Sequence, residues 1–345
     1  MNTIFKKFMA LVAIIAGFLT SGKANAQEKY SPSGTYQFAV KDGNSLFLDE
    51  YLATAGSETT LNGNEKPSIV FVFGGGFKGG ERSHKEYVPW FKMLNDEGYT
   101  VLTIDYRLGM KGVKTKGGIG SVKQFYHSVR IASEDLFSAT KYIIDNAKTL
   151  KVNPDNLVIC GSSAGAMTVL ETEWMLCNGK ATEALPEGFR YAGVMSFSGA
   201  ILSREGMPKY SQTPAPTAFF HGTADKVVNY GNIRVFNWVF AGTDKLVKIF
   251  KKNGYVYNAF RFKDHKHEIA DSMVETFADQ IRFLETNVTR KVARTVDSTN
   301  NDPEAPVPSG SAPQGDVRKV INSEYIYDRL PRFCGIPLHS DGVRP

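Results

Sequence analysis

A chain of 345 residues, 42% of them hydrophobic, suits one domain with a tail rather than two separate cores. The formal charge of +6 forms no lysine or arginine stripe, which removes the argument for nucleic acid as a partner. Of the three cysteines, Cys160 falls within an apolar run, leaving Cys177 and Cys334 as the one plausible pair.

The first residues read as a secretory signal peptide: Lys6 and Lys7 precede an apolar run from Phe8 to Leu19, and Ala24-Asn25-Ala26 fits a small-residue cleavage site. The mature chain then begins at Gln27 and is exported to the periplasm or beyond. The apolar run is too short for a membrane span, and no cysteine follows the cut to carry a lipid, so no stable membrane anchor is expected. A retained interfacial anchor is the competing reading. Lys6, Lys7 and Lys23 leave with the leader and take half of the formal charge of +6 with them.

Gly34 to Leu52 alternates like an opening hairpin turning at Asp42-Gly43. Apolar runs at Ile69–Phe73, Val101–Asp105, Leu157–Cys160, Ala192–Phe197, Thr217–Phe220 and Tyr255–Phe262 read as strands. Between and after them, helices are expected at His84–Asn95, Ala132–Thr149, Ser163–Leu176, Ile233–Lys252 and Ile269–Asn287. This alternation predicts an α/β fold, a mostly parallel sheet with helices on both faces. Leu108 to Arg130, Gly/Lys-rich and then aromatic, suggests a mobile flap, and the insertion Asn178–Arg190 is too short for a large lid. Phe77, Tyr126, Trp174 and Phe189 either line a pocket or belong to the core. The composition from Asp297 to Gly315 reads as a linker. It ends the domain at residue 296 and leaves an apolar tail, 316–345, of unknown role.

Gly161-Ser162-Ser163-Ala164-Gly165 stands between a strand and a helix, the setting in which the serine of a G-x-S-x-G turn becomes an exposed nucleophile. Upstream, the strand ending at Phe73 runs into Gly74-Gly75-Gly76-Phe77-Lys78-Gly79-Gly80. Bare backbone there can approach an oxyanion, which makes the amides of Gly75, Gly76 and Ala164 the candidate donors. A phosphate loop would require Ser or Thr after Lys78. A serine hydroxyl needs a base, and the base needs a carboxylate to orient it. In the order serine, acid, histidine, Asp225 follows a strand, and His265 and His267 lie in the loop after the last strand. Periodicity does not separate the two histidines, and His-x-His also suits a metal pair or a solvated turn.

These residues resemble the carboxylesterase and acetylesterase branch of the α/β-hydrolases, related to the hormone-sensitive-lipase group, over roughly Tyr36 to Thr286. The resemblance rests on the glycine run, Asp105-Tyr106-Arg107-Leu108, the helix opening at Ala132–Asp135, Asn153-Pro154-Asp155, Gly-Ser-Ser-Ala-Gly-Ala, His221-Gly222-Thr223-Ala224-Asp225-Lys226-Val227-Val228 and His267-Glu268, in that order. It implies Ser163 as nucleophile, Asp225 as acid and His267 as base, with no metal or organic cofactor. The expected function is an exported serine ester hydrolase taking short acyl esters, acetyl or aryl esters of carbohydrates among them. A serine peptidase of the prolyl-oligopeptidase type and a non-catalytic binding module on the same fold are the alternatives. The family writes His-Gly-Gly-Gly where this chain has Phe73, which leaves open how the glycine loop is braced. Arg107 reads as an ion-pair anchor and Asp135 as a helix-start carboxylate.

Overall fold

The apolar runs become strands because each can be buried on both faces, as a parallel sheet requires. In the computed structural model, which describes residues 30–114, 119–235 and 237–303, every residue of β5 (Ser68–Val72), β6 (Val101–Ile104), β7 (Leu157–Ser162), β8 (Gly193–Phe197) and β10 (Thr217–Gly222) is buried. Ahead of them lie β1 (Gly34–Lys41) and β2 (Asn44–Tyr51), and the small hairpin of β3 (Thr60–Leu61) and β4 (Asn64–Glu65). The turn between β1 and β2 is the expected Asp42-Gly43, with φ of 50° and 74°, the left-handed pair that a two-residue hairpin requires.

The main sheet has nine strands in the order β1-β2-β6-β5-β7-β8-β10-β13-β14, where β13 is Tyr257–Phe262 and β14 is Val296–Asn300. The pairs β1·β2 and β2·β6 are antiparallel and all others parallel. From β5 the chain steps one way to β6 and then returns past β5 to β7. Right-handed crossovers in opposite directions place α1 (Val88–Asp96) and α2 (Ile119–Asp145) on opposite faces. The α5 helix (Phe277–Phe283) joins α1, since the Trp90 indole N–H donates to Gln280 Oε1 at 2.8 Å. Helix α3 (Ala164–Cys177) packs along α2, where Arg130 pairs with Glu171 at 3.2 Å. The reversal of strand order opens a crevice at the carboxyl ends of β5 and β7, the place where open α/β sheets bind ligands.

Several expectations are corrected. Residues 233–235 and 237–242 are not helical: β11 (Asn232–Val235) and β12 (Trp238–Gly242) pair antiparallel, β12 pairs with β9 (Ala200–Ser203), itself unforeseen, and only α4 (Thr243–Asn253) is helix. Ile233, Val239 and Phe240 suit either state, and the partner strand decides. The supposed flap ends early, because α2 begins at Ile119 and buries Val122, Phe125, Val129 and Ala132 at helical spacing. Asp135 consequently lies deep inside α2 rather than at a helix start. The stretch expected as one helix from Ile269 is a 3₁₀ turn (His267–Asp271), then α5, then a π turn (Leu284–Thr289). The domain does not end at 296, for β14 extends the sheet, held by Tyr257 and Arg261 on Asp297. No helix or strand forms within 178–190. Phe77, Trp174 and Phe189 are buried in the core and Tyr126 is half-buried against Trp238. The leader 1–26, most of the expected linker, the tail 316–345 and Cys334 lie outside the described residues. Cys177 is buried, its thiol directed to Glu173 Oε1 at 3.3 Å.

Candidate active site

Two loops meet at the crevice, the glycine run after β5 and the serine turn after β7. Ser163, between β7 and α3, has φ 49° and ψ −110°, a conformation rarely tolerated outside glycine and held here by its surroundings. Its N–H donates to Phe197 O at 2.9 Å and its carbonyl accepts from Met167 N at 2.9 Å. The flanking glycines are steric necessities. A Cβ on Gly165 would lie 1.9 Å from Val72 O, and one on Gly161 would lie 2.3 Å from the Gly165 carbonyl carbon.

Asp225 and His267 reach the serine from the neighbouring strand ends. Gly222, the last residue of β10, lets the loop after β13 pass against it, since a Cβ there would meet His265 O at 2.4 Å and Lys266 O at 2.3 Å. The Ala224 N–H then fastens that loop by donating to His265 O at 2.8 Å. The result is a continuous chain: Ser163 Oγ lies 2.8 Å from His267 Nε2, and His267 Nδ1 lies 2.7 Å from Asp225 Oδ2. Asp225 Oδ1 accepts from the N–H groups of Val227 at 2.8 Å and Val228 at 3.1 Å. Burial opposes the charge of Asp225, yet hydrogen bonds from His221 and His267 outweigh it and hold the carboxyl well below the usual carboxylate range. An ionised carboxylate only accepts, which puts the imidazole proton on Nδ1 and leaves Nε2 free to accept the serine proton.

The structure also separates the two loop histidines. His265 is buried, with Nδ1 at 3.2 Å from Glu268 Oε1 and Nε2 at 3.2 Å from Asp302 O, so both ring nitrogens are engaged away from the serine.

In the glycine loop, Gly74 N–H donates to Tyr87 Oη at 3.2 Å. The carbonyl of Gly75 accepts from Lys78 N at 3.0 Å and Gly79 N at 3.3 Å, closing the turn. The amides of Gly75, Gly76 and Phe77 have no acceptor among the described residues, and Ala164 N–H, at the first position of α3, is an orphan by its place in the helix. Phe73 takes over the bracing that the sequence left open. Its ring stacks on Tyr106 at 4.4 Å and its carbonyl accepts the Tyr106 hydroxyl at 3.0 Å. The next residue, Arg107, is the expected ion-pair anchor, joining Asp42 at 2.6 Å, Glu134 at 3.1 Å and Asp135 at 2.9 Å. Among the described residues no group of three or more His, Cys, Asp or Glu is placed to hold a metal ion, and no helix is long and apolar enough to cross a membrane. The contacts of Tyr87, Tyr106 and His221 were not foreseen. Only the motif containing His221-Gly222 hinted at one of them.

Comparison with known proteins bears on the fold and the family resemblance. Residues 58–172 match the BD-FAE family and residues 128–285 the Phospholipase/Carboxylesterase family. The native structure of the thermophilic esterase Est2 from Thermogutta terrifontis superposes with a TM-score of 0.54 at 21% identity, over 76% of this chain and 97% of that one. The chain has the α/β-hydrolase fold and is similar to the carboxylesterases over residues 128–285. Among sequence relatives, Fumonisin B1 esterase of Sphingopyxis macrogoltabida is 28% identical over 102 residues, 29% of this chain and 18% of the relative. Carboxylesterase 5A of Mus musculus is 33% identical over 109 residues, 31% of this chain and 17% of the relative. The chain thus spans less than a fifth of the length of these curated relatives.

Proposed function

We propose that this protein is an exported serine carboxylic-ester hydrolase that works through an acyl-serine intermediate. The observation that carries the reading is the unbroken hydrogen-bonded chain from Ser163 through His267 to Asp225. His267 Nε2 takes the hydroxyl proton as Ser163 Oγ attacks the ester carbonyl, and Asp225 stabilises the imidazolium that forms. The amides of Gly75, Gly76 and Ala164 receive the oxyanion, where one such donor contributes about 3 kcal/mol to the transition state. His267 then protonates the leaving alcohol, and a water activated by the same nitrogen releases the acid. No step calls for a metal or cofactor.

Small, water-soluble esters are the substrate class, with a short acyl group or an aryl acid carried on a carbohydrate. The short, irregular segment 178–190 supports this, since it supplies no lid helix to shelter a lipid chain. Structures of Thermogutta terrifontis esterase 2 with propionate and with butyrate bound point the same way for that protein. Export rests on the basic and apolar N-terminal run and its Ala24-Asn25-Ala26 site.

A fluorophosphonate probe tests the mechanism. Wild type is expected to label and Ser163→Ala to remain unlabelled and inactive; folded wild type that does not label overturns the reading. A panel of acyl lengths, acetylated and feruloylated sugars and peptide amides then tests the substrate class, and preferential cleavage of amides would reassign the protein as a peptidase.

A further inference from the structure

Asp225 is gripped by a second histidine. His221, the penultimate residue of β10, is fully buried, and its Nε2 lies 3.2 Å from Asp225 Oδ2, the same oxygen that faces His267. That nitrogen is also 3.0 Å from Val228 O. A carbonyl oxygen accepts and does not donate, so Nε2 carries the proton and gives it to Val228 O, with the Asp225 carboxylate close beside it. Nδ1 of the neutral ring then accepts from the Thr243 hydroxyl at 2.7 Å, on the first residue of α4. Tyr230 lies edge-on to the ring at 5.5 Å, its own hydroxyl accepting from Arg261 Nε at 2.8 Å.

Asp225 therefore receives N–H groups from Val227, Val228 and His267, and the polar edge of His221 lies 3.2 Å from the oxygen that faces His267. The first two fix one oxygen, and the second oxygen is shared between two imidazoles. A residue needed only to fill space at this fully buried place would be apolar, because an imidazole costs free energy there unless both nitrogens are satisfied. We infer that His221 is a positioning residue for the reaction proposed above. It fixes the rotation of the Asp225 carboxylate and, by sharing Oδ2, sets how strongly that carboxylate holds the proton on His267. Thr243 polarises His221 in turn, so the line of groups runs from α4 to Ser163.

The inference rests on the serine hydrolase reading, and one set of variants of the full chain separates the two. His221→Phe keeps the ring volume and removes both polar contacts. His221→Gln keeps a donor toward Asp225 and an acceptor toward Thr243. With a short p-nitrophenyl ester, His221→Phe is expected to lower kcat about 10- to 100-fold with KM nearly unchanged, the mark of lost orientation rather than lost binding. Losing the shared donor concentrates charge on Oδ2 facing His267, so the acid limb of kcat/KM moves to higher pH and the His267 Nδ1 proton resonance shifts. Other charges near His267 are Asp271 on its own 3₁₀ turn and, beyond it, Glu86 and His84 ahead of α1; both variants leave these in place. His221→Gln should recover most of the loss.

A folded His221→Phe protein with wild-type kcat and an unmoved acid limb overturns the inference, whatever its Tm. If that variant does not fold, Thr243→Val, which removes the hydroxyl from Nδ1, must move the limb in the same direction by a smaller amount, and an unmoved limb there overturns it equally. Ser163→Ala and His267→Ala are the controls. If either retains turnover, it is the hydrolase reading that falls.

Discussion

Two histidines a single residue apart, His265 and His267, have opposite fates that no property of their own side chains decides. His267 opens a 3₁₀ turn and presents Nε2 to Ser163, whereas His265 spends both nitrogens on Glu268 and Asp302 O. Separate alanine substitutions should divide accordingly. His267→Ala is expected to lower kcat by roughly 10⁴- to 10⁶-fold, as loss of a triad base does, with little change in Tm. His265→Ala should keep kcat near wild type while losing about 1 kcal/mol of stability, the usual worth of a buried hydrogen bond. Steady-state kinetics beside thermal melts check both, and the reverse pattern would exchange the two roles. Ser163 and Asp225 were legible because their type, order and flanking glycines follow from what a nucleophile turn and an acid loop need. The choice between the histidines was not, since it depends on where the segment after β14 returns to meet His265.

Elements were legible to the degree that they are self-sufficient. Strands β5, β6, β7, β8 and β10 announce themselves because burial on both faces demands continuous apolar runs. The β11–β12 pair does not, because its residues suit a helix as well until β9 lies alongside. Strand β14, with the sequence VDSTN, is polar because it forms the sheet's edge with Asp297, Thr299 and Asn300 exposed, and composition alone places such a stretch in a linker. The junction of β7 and α3 is the opposite case, where geometry leaves no freedom. Gly165→Ala sets a Cβ 1.9 Å from the Val72 carbonyl, a backbone atom in the central strand. To relieve it α3 must withdraw from β5, and Ser163 moves with it. The expected cost is about 1–3 kcal/mol of stability together with a loss of turnover larger than the lost folded fraction. Tm measured beside active-site titration distinguishes these, and a Gly165→Ala protein with wild-type Tm and turnover would refute the packing argument.

At the scale of the whole molecule, the buried carboxylates give stability two opposite dependences on pH. Asp225 is held below its ordinary value in the folded state, so its contribution is complete above the usual carboxylate range and is lost as pH falls beneath it. Glu171, on α3, is buried, with Oε1 at 3.2 Å from Arg130 and Oε2 without a hydrogen-bond partner. Burial pushes its carboxyl up to about 7 against the pull of Arg130. Burial drives Glu173 in the same direction. For a carboxyl raised in the folded state the sign reverses: the folded form binds the proton more tightly, so the contribution is complete below the ordinary value of 4.5 and is lost as pH rises through about 7. Replacing Glu171 by Gln preserves shape and removes the ionisation. Near pH 5 the variant and wild type should have similar stability, because the native carboxyl is already protonated. At pH 8 Glu171→Gln should be the more stable by up to about 3 kcal/mol, the worth of a shift of that size. Urea unfolding at the two pH values reads the difference directly. An equal gap at both would mean that Arg130 neutralises Glu171 throughout, and that the α2–α3 contact behind the serine turn is an ion pair rather than a proton-bearing acid.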